Sequence, residues 1–99
     1  MSKRPPTLAE RRHMACVAAL GCVVCRNIGL GPTPAAIHHI REGQGMSERA
    51  SHYLVIPLCA DHHQHGGHGV ALHAGQATFE RIYGTELDLL AQTIADLQL

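Results

Sequence analysis

Two residue pairs in this 99-residue chain have the types and spacing to hold a metal, Cys22-x-x-Cys25 and Cys59-x-x-His62. A two-residue spacer lets both side chains of a pair face one ion. Two such pairs complete a closed tetrahedral structural zinc site with three Cys and one His. Such a site contributes on the order of 10 kcal/mol of folding free energy. A redox Cys-x-x-Cys is the alternative, but it leaves Cys59 without a role and lacks the Trp-flanked βαβ setting. Cys16 belongs to neither pair and is expected as a small buried hydrophobe.

Imidazole is the second signal. Eight of the nine His lie between His38 and His73, five of them within Ile56–His73. Adjacent His38 and His39 at a strand end would be turned apart by the strand's alternation. One can then ligate a metal while the other acts as general base near neutral pH. A metal beside that base could stabilise the charge that builds on a phosphate under attack. His63, His65, His68 and His73 are candidates for the remaining ligands. His63 is best placed, because it directly follows the zinc ligand His62. His65 reads better as an exposed turn residue, and His13 as a surface residue.

These side chains need a scaffold. Thr7 and Glu10 form a capping box that should open a helix over Leu8–Leu20, stopped by Gly21. Its expected inner face is Leu8, Ala15, Val17, Ala18 and Leu20. Ala35–Ile40 and Tyr53–Leu58 read as two strands of a hairpin. Pro57 confines the second to an edge or to its end. Arg41–Ser51 reads as the loop between them. Asp61 is a candidate cap for a short helix over His62–His65, broken by Gly66-Gly67. Gln76–Tyr83 reads as a helix ended by Gly84. Thr85 then caps a last helix with Leu87, Leu90, Ala91, Ile94 and Leu97 on one face. The class is α+β, a small zinc-stapled domain with an N-terminal helix and C-terminal helices.

Length and composition fit one domain over residues 1–99, with a flexible N-terminus over 1–6. Three aromatics and no Trp make a thin core, for which a metal staple is a common remedy. No apolar run is long enough to cross a membrane, and no hydrophobic signal segment follows Met1–Pro6. A cytoplasmic location with reduced thiols is therefore expected. The zero net charge is unevenly spread: seven basic against three acidic residues in 1–49, one against five in 50–99. A basic front half is compatible with a phosphate backbone as partner.

Cys22-x-x-Cys25, Ile37-His-His-Ile40 and Ile56-Pro-Leu-Cys-x-x-His-His63, in this order, resemble the HNH, or ββα-metal, endonuclease superfamily. The likeness is greatest to the phage group of recombination-enhancement, RecA-dependent nucleases. There Gly66-Gly-His-Gly-Val-Ala-Leu-His-Ala-Gly75 and Phe79-Glu-x-x-Tyr-Gly-Thr-Glu86-x-x-Leu-Leu90 look similar too. The resemblance implies His39 as general base, and His38 and His63 as ligands of a catalytic divalent metal. It implies His73 as third ligand, with His68 as the competing choice. It assigns Cys22, Cys25, Cys59 and His62 to the structural zinc. His52 falls near the position where relatives carry Asn or Asp, which usually holds the hairpin loop by hydrogen bonding.

The implied activity is hydrolysis of DNA phosphodiester bonds in phage-related recombination or processing. The implied partners are DNA and a recombinase filament or other phage protein. An all-imidazole site suits Mn²⁺, Ni²⁺ or Zn²⁺ better than Mg²⁺, although substrate phosphate can supply oxygen ligands for Mg²⁺. Arg41 and Arg49 are candidates for backbone phosphate contacts. No recognition helix is evident, so specificity should come from DNA structure or a partner. Two other classes fit parts of the pattern. A non-catalytic zinc module binding DNA or protein gives no role to His38 and His39. A metal-storage protein would take several exchangeable ions.

Overall fold

A computed structural model describes residues 4–41 and 51–98. The loop residues 42–50, including Arg49, and residues 1–3 of the expected flexible N-terminus lie outside the described residues. Among the described residues the order is α1 (Leu8–Ala19), α2 (Val23–Asn27), β1 (Ala36–His39), β2 (Val55–Leu58), a π-helical turn (Asp61–His65), a 3-10 turn (Leu72–Ala74), α3 (Gln76–Tyr83) and α4 (Glu86–Leu97). The class is α+β.

The expected capping box opens α1. The Thr7 hydroxyl accepts from Glu10 N–H at 3.1 Å, and Glu10 Oε1 accepts from Thr7 N–H at 2.7 Å. Gly21 ends the helix with φ at +79°, where a Cβ would also lie 3.1 Å from the Thr33 carbonyl oxygen. The expected inner face is narrower than the pattern suggests. Val17 is buried, whereas Leu8 and Ala15 are exposed. Cys16 is exposed too, contrary to its expected burial, because it points one helical step away from Val17. His13 is only partly exposed, its ring lying 5.2 Å from that of Tyr53. The short α2 had no signal in the sequence. It is the Cys-x-x-Cys turn itself, with Cys22 Sγ accepting from Cys25 N–H at 3.4 Å.

β1 and β2 pair antiparallel, with Ala36 opposite Leu58 and His39 opposite Val55. Both strands are shorter than expected. Ile40 N–H donates to the Leu54 carbonyl at 3.1 Å just beyond the strands' end. Antiparallel alternation then makes Ile37–Pro57 a non-hydrogen-bonded pair, so the proline's missing N–H faces away from β1.

α1 and α4 both pack on β2. The core joins Cys22–Cys25 to Ile40, Ile56, Leu58, Leu72, Phe79, Leu89 and Leu90, so the first Cys pair is part of the core. α3 runs as expected and ends at Gly84. α4 is capped as expected, with Thr85 and Asp88 in a reciprocal box. Its buried face is rotated from the expected one. Glu86, Leu89, Leu90 and Thr93 are buried, while Leu87, Ala91 and Ile94 are exposed. The rotation follows from side-chain partners. Glu86 reaches His38, Gln92 exchanges hydrogen bonds with Asn27, and Asp96 pairs with Arg26 at 2.9 Å. These polar anchors and the Leu89–Leu90 pair outweigh the burial of Leu87 and Ile94.

Candidate metal centres and catalytic histidines

Three elements bring the first four donors together: the start of α2, the end of β2 and the π-helical turn. Cys25 Sγ lies 3.7 Å from Cys59 Sγ and 3.5 Å from His62 Nδ1. His62 Nδ1 lies 3.1 Å from Cys59 Sγ and 3.7 Å from Cys22 Sγ. A tetrahedron with zinc–sulfur bonds of about 2.3 Å and zinc–nitrogen bonds of about 2.0 Å has edges of about 3.5–3.8 Å. Three of these separations match such edges, and the Cys59–His62 edge at 3.1 Å would open by about 0.4 Å to hold the ion. Burial pushes the Cys22 thiol up to about 11 in the metal-free protein. Burial lowers the His62 pKa, keeping the imidazole neutral and able to donate its lone pair.

The turn that carries His62 also carries His63, and the two face different sites. Asp61 does not cap it by side chain, contrary to expectation; Ala60 holds the cap position without a side-chain hydrogen bond. The turn closes through Gly66 N–H to the Asp61 carbonyl at 2.9 Å, the wider π pattern. A Cβ on Gly66 would lie 2.5 Å from that carbonyl oxygen, so glycine is needed at this closure.

His63 Nε2 lies 3.2 Å from His38 Nδ1 and 3.0 Å from His73 Nε2. The three rings pack with centroids 4.6–5.1 Å apart. β1 supplies His38, the π turn His63 and the 3-10 turn His73. One proton on His63 Nε2 could satisfy only one of its two nitrogen neighbours. The cluster is therefore rich in lone pairs facing inward, and the separations suit two imidazoles sharing an ion at about 2.1 Å. Burial lowers all three pKa values. His63 falls to about 4, with His38, His73 and Arg41 adding to the effect of desolvation. All three are neutral at pH 7, the form that ligates a metal.

His65 and His68 do not join this cluster. His65 is exposed. His68 packs against Gly75, and its Nε2 lies 3.2 Å from Thr78 Oγ1, on a different side of the 3-10 turn. His39 points away from His38, as strand alternation requires. Its Nε2 lies 2.9 Å from His52 Nδ1. Desolvation, and then His52, lower the His39 pKa, so His39 is also neutral at pH 7.

Sequence reasoning missed Glu86. Its side chain is fully buried, and its Oε2 lies 2.6 Å from His38 Nε2. It also accepts from the Arg41 backbone N–H at 3.2 Å and from Gln76 Nε2 at 3.4 Å. Gln76 Oε1 in turn accepts from Arg41 Nη2 at 2.8 Å. A signal existed. Glu86 shares the 86/89/90/93 stripe of α4, and an acid on a buried stripe needs a partner.

The family model described as "Recombination enhancement, RecA-dependent nuclease" matches residues 6–98 of this chain. The match spans both histidine-containing clusters and Glu86. No described helix is long and apolar enough to cross a membrane.

Proposed function

The chain belongs to the recombination-enhancement, RecA-dependent nuclease family, and on that premise we propose that it is an HNH-type, metal-dependent DNA endonuclease. Family membership implies a nucleic-acid substrate and the involvement of RecA. A nuclease working with a bacterial recombinase acts in the cytoplasm of the host, whether host- or phage-encoded.

The observation that carries the reading is the convergence of three neutral imidazoles beside a fourth on the neighbouring strand position. His38, His63 and His73 would hold one divalent ion. When bound, that ion supplies positive charge to the phosphoanion and the leaving 3′ oxygen. Cys22, Cys25, Cys59 and His62 would hold the structural zinc.

His39 is the general base. With Nε2 engaged by His52, Nδ1 takes the proton from water. The hydroxide oxygen bonds to phosphorus as the bond to the 3′ oxygen breaks. His52, from the far side of the hairpin loop, fixes the ring of His39. Arg41 lies close enough to lower the pKa values of His38, His63 and His73. Held by Gln76, its guanidinium is set to contact the substrate phosphate.

A nicking assay on zinc-loaded protein tests this reading, with supercoiled and single-stranded DNA, with and without a RecA filament. Mg²⁺, Mn²⁺, Ni²⁺ or no metal would be added. Metal-dependent nicking, abolished in His39→Ala with the fold intact, is expected. Absence of nicking in every arm would leave a zinc-stapled binding module instead.

A further inference from the structure

We infer that Glu86 is a positioning residue for the catalytic metal site, fixing the tautomer and rotation of His38 so that Nδ1 faces His63 and His73. The inference rests on the metal-site reading above and adds a residue that acts through a ligand.

The geometry starts from burial. Glu86 is 0% and His38 3% exposed, so neither can turn to water. A carboxylate accepts, so the 2.6 Å contact requires the His38 proton on Nε2. The other ring nitrogen, Nδ1, then carries a lone pair, and it is the atom 3.2 Å from His63 Nε2. Rotating the ring by a half-turn about Cβ–Cγ would put Cε1 near the place of Nε2 and Cδ2 near that of Nδ1, losing both the carboxylate hydrogen bond and the lone pair that faces the cluster. Glu86 therefore excludes the non-ligating orientation.

Glu86 is itself held on several sides. Its oxygens accept from the Arg41 backbone N–H at 3.2 and 3.3 Å and from Gln76 Nε2 at 3.4 Å. It is the first residue of α4, after the Thr85 cap, where the helix N-terminus favours a negative charge. Donors from β1 with its extension (His38 Nε2, Arg41 N–H) and from α3 (Gln76 Nε2) thus meet one carboxylate. Glutamine at this position would present an amide N–H₂ toward Arg41 N–H or Gln76 Nε2–H, donor against donor. Carboxylate partners of ligating imidazoles are typically worth about 10- to 100-fold in metal affinity.

The test uses full-length, zinc-loaded protein titrated with Mn²⁺ alone, followed by calorimetry and by the Mn²⁺ electron paramagnetic resonance signal. Wild type, Glu86→Gln and His63→Ala are compared, each checked for zinc content and far-UV circular dichroism. Imidazole ¹⁵N spectra of the Mn²⁺-free wild type give the His38 tautomer directly. The expected result is one Mn²⁺ per wild-type chain and loss of that binding in His63→Ala. Affinity should be about 10- to 100-fold weaker in folded Glu86→Gln. His38 should be in the Nε2–H form. Mn²⁺ affinity in Glu86→Gln within about two-fold of wild type would overturn the inference alone. So would an Nδ1–H His38, a readout that holds even if the variant fails to fold. Wild type taking up no Mn²⁺, or His63→Ala binding it equally, would overturn the metal-site reading and this inference with it.

Discussion

Withdrawing the metal proposed for the Cys22–Cys25–Cys59–His62 cluster should unfold this protein. The cluster ties the α1–α2 junction to the end of β2 and to the π turn, linking residues 40 positions apart at Cys22 and His62. Two of its thiols lie inside the main hydrophobic core, packed with Ile56, Leu58 and Phe79. A structural zinc contributes on the order of 10 kcal/mol. A domain of this length is stable by roughly 5–15 kcal/mol in total. Removal thus takes away most or all of the net stability. Burial raises the metal-free Cys22 thiol to about 11, so it is protonated at neutral pH. Re-forming the site therefore means displacing protons, and zinc uptake should release them. The assay is a thermal melt by circular dichroism before and after a strong zinc chelator at pH 7, with Cys25→Ser and Cys16→Ser beside wild type. Chelated wild type and Cys25→Ser should lose the cooperative melt. Cys16→Ser should melt like wild type, because that thiol is exposed and outside the cluster. A metal-free protein melting cooperatively within about 5 °C of the zinc form, roughly 1 kcal/mol in a domain of this size, would refute the staple.

Three further outcomes are expected. Nicking should be at its plateau at pH 7 and should fall only below the ordinary imidazole range, since burial lowers the pKa of the proposed base His39 and the neutral form is active; a rate still rising above pH 7.5 would assign the base elsewhere. Arg41→Ala should weaken DNA binding at low salt and reduce the slope of log affinity against log salt by about 0.9, one phosphate contact; an unchanged slope would remove Arg41 from the interface. On α4, Leu89→Ala should cost about 2–5 kcal/mol, whereas Leu87→Gln and Ile94→Gln should stay within about 0.5 kcal/mol in urea melts. Equal costs at Leu87 and Leu89 would contradict the observed rotation of the helix.

Local interactions made much of this legible. Only the structure adds the reciprocal Asp88 contact, but the capping box at Thr7 and the cap at Thr85 join residues three positions apart and were readable without it. The same holds for Cys22-x-x-Cys25 and Cys59-x-x-His62, whose spacers set each pair on one turn before any tertiary contact forms. Strand alternation separates His38 from His39 in any hairpin that contains them. Helix phase was not legible in this way. Leu87, Ala91 and Ile94 form as good an apolar stripe as Leu89, Leu90 and Thr93, so hydrophobicity alone does not choose between them. Polar partners did: Glu86 for His38, Asp96 for Arg26, Gln92 for Asn27, each 48 or more residues away in sequence. The choice among His65, His68 and His73 was likewise tertiary. Rotation of the π and 3-10 turns left His65 exposed, carried His68 to Thr78 and brought His73 to His63. Residue type and spacing along one element thus determined which side chains could act. Which of them meet was decided by packing between elements, because the free energy that orients one helix against another comes from partners distant in the chain.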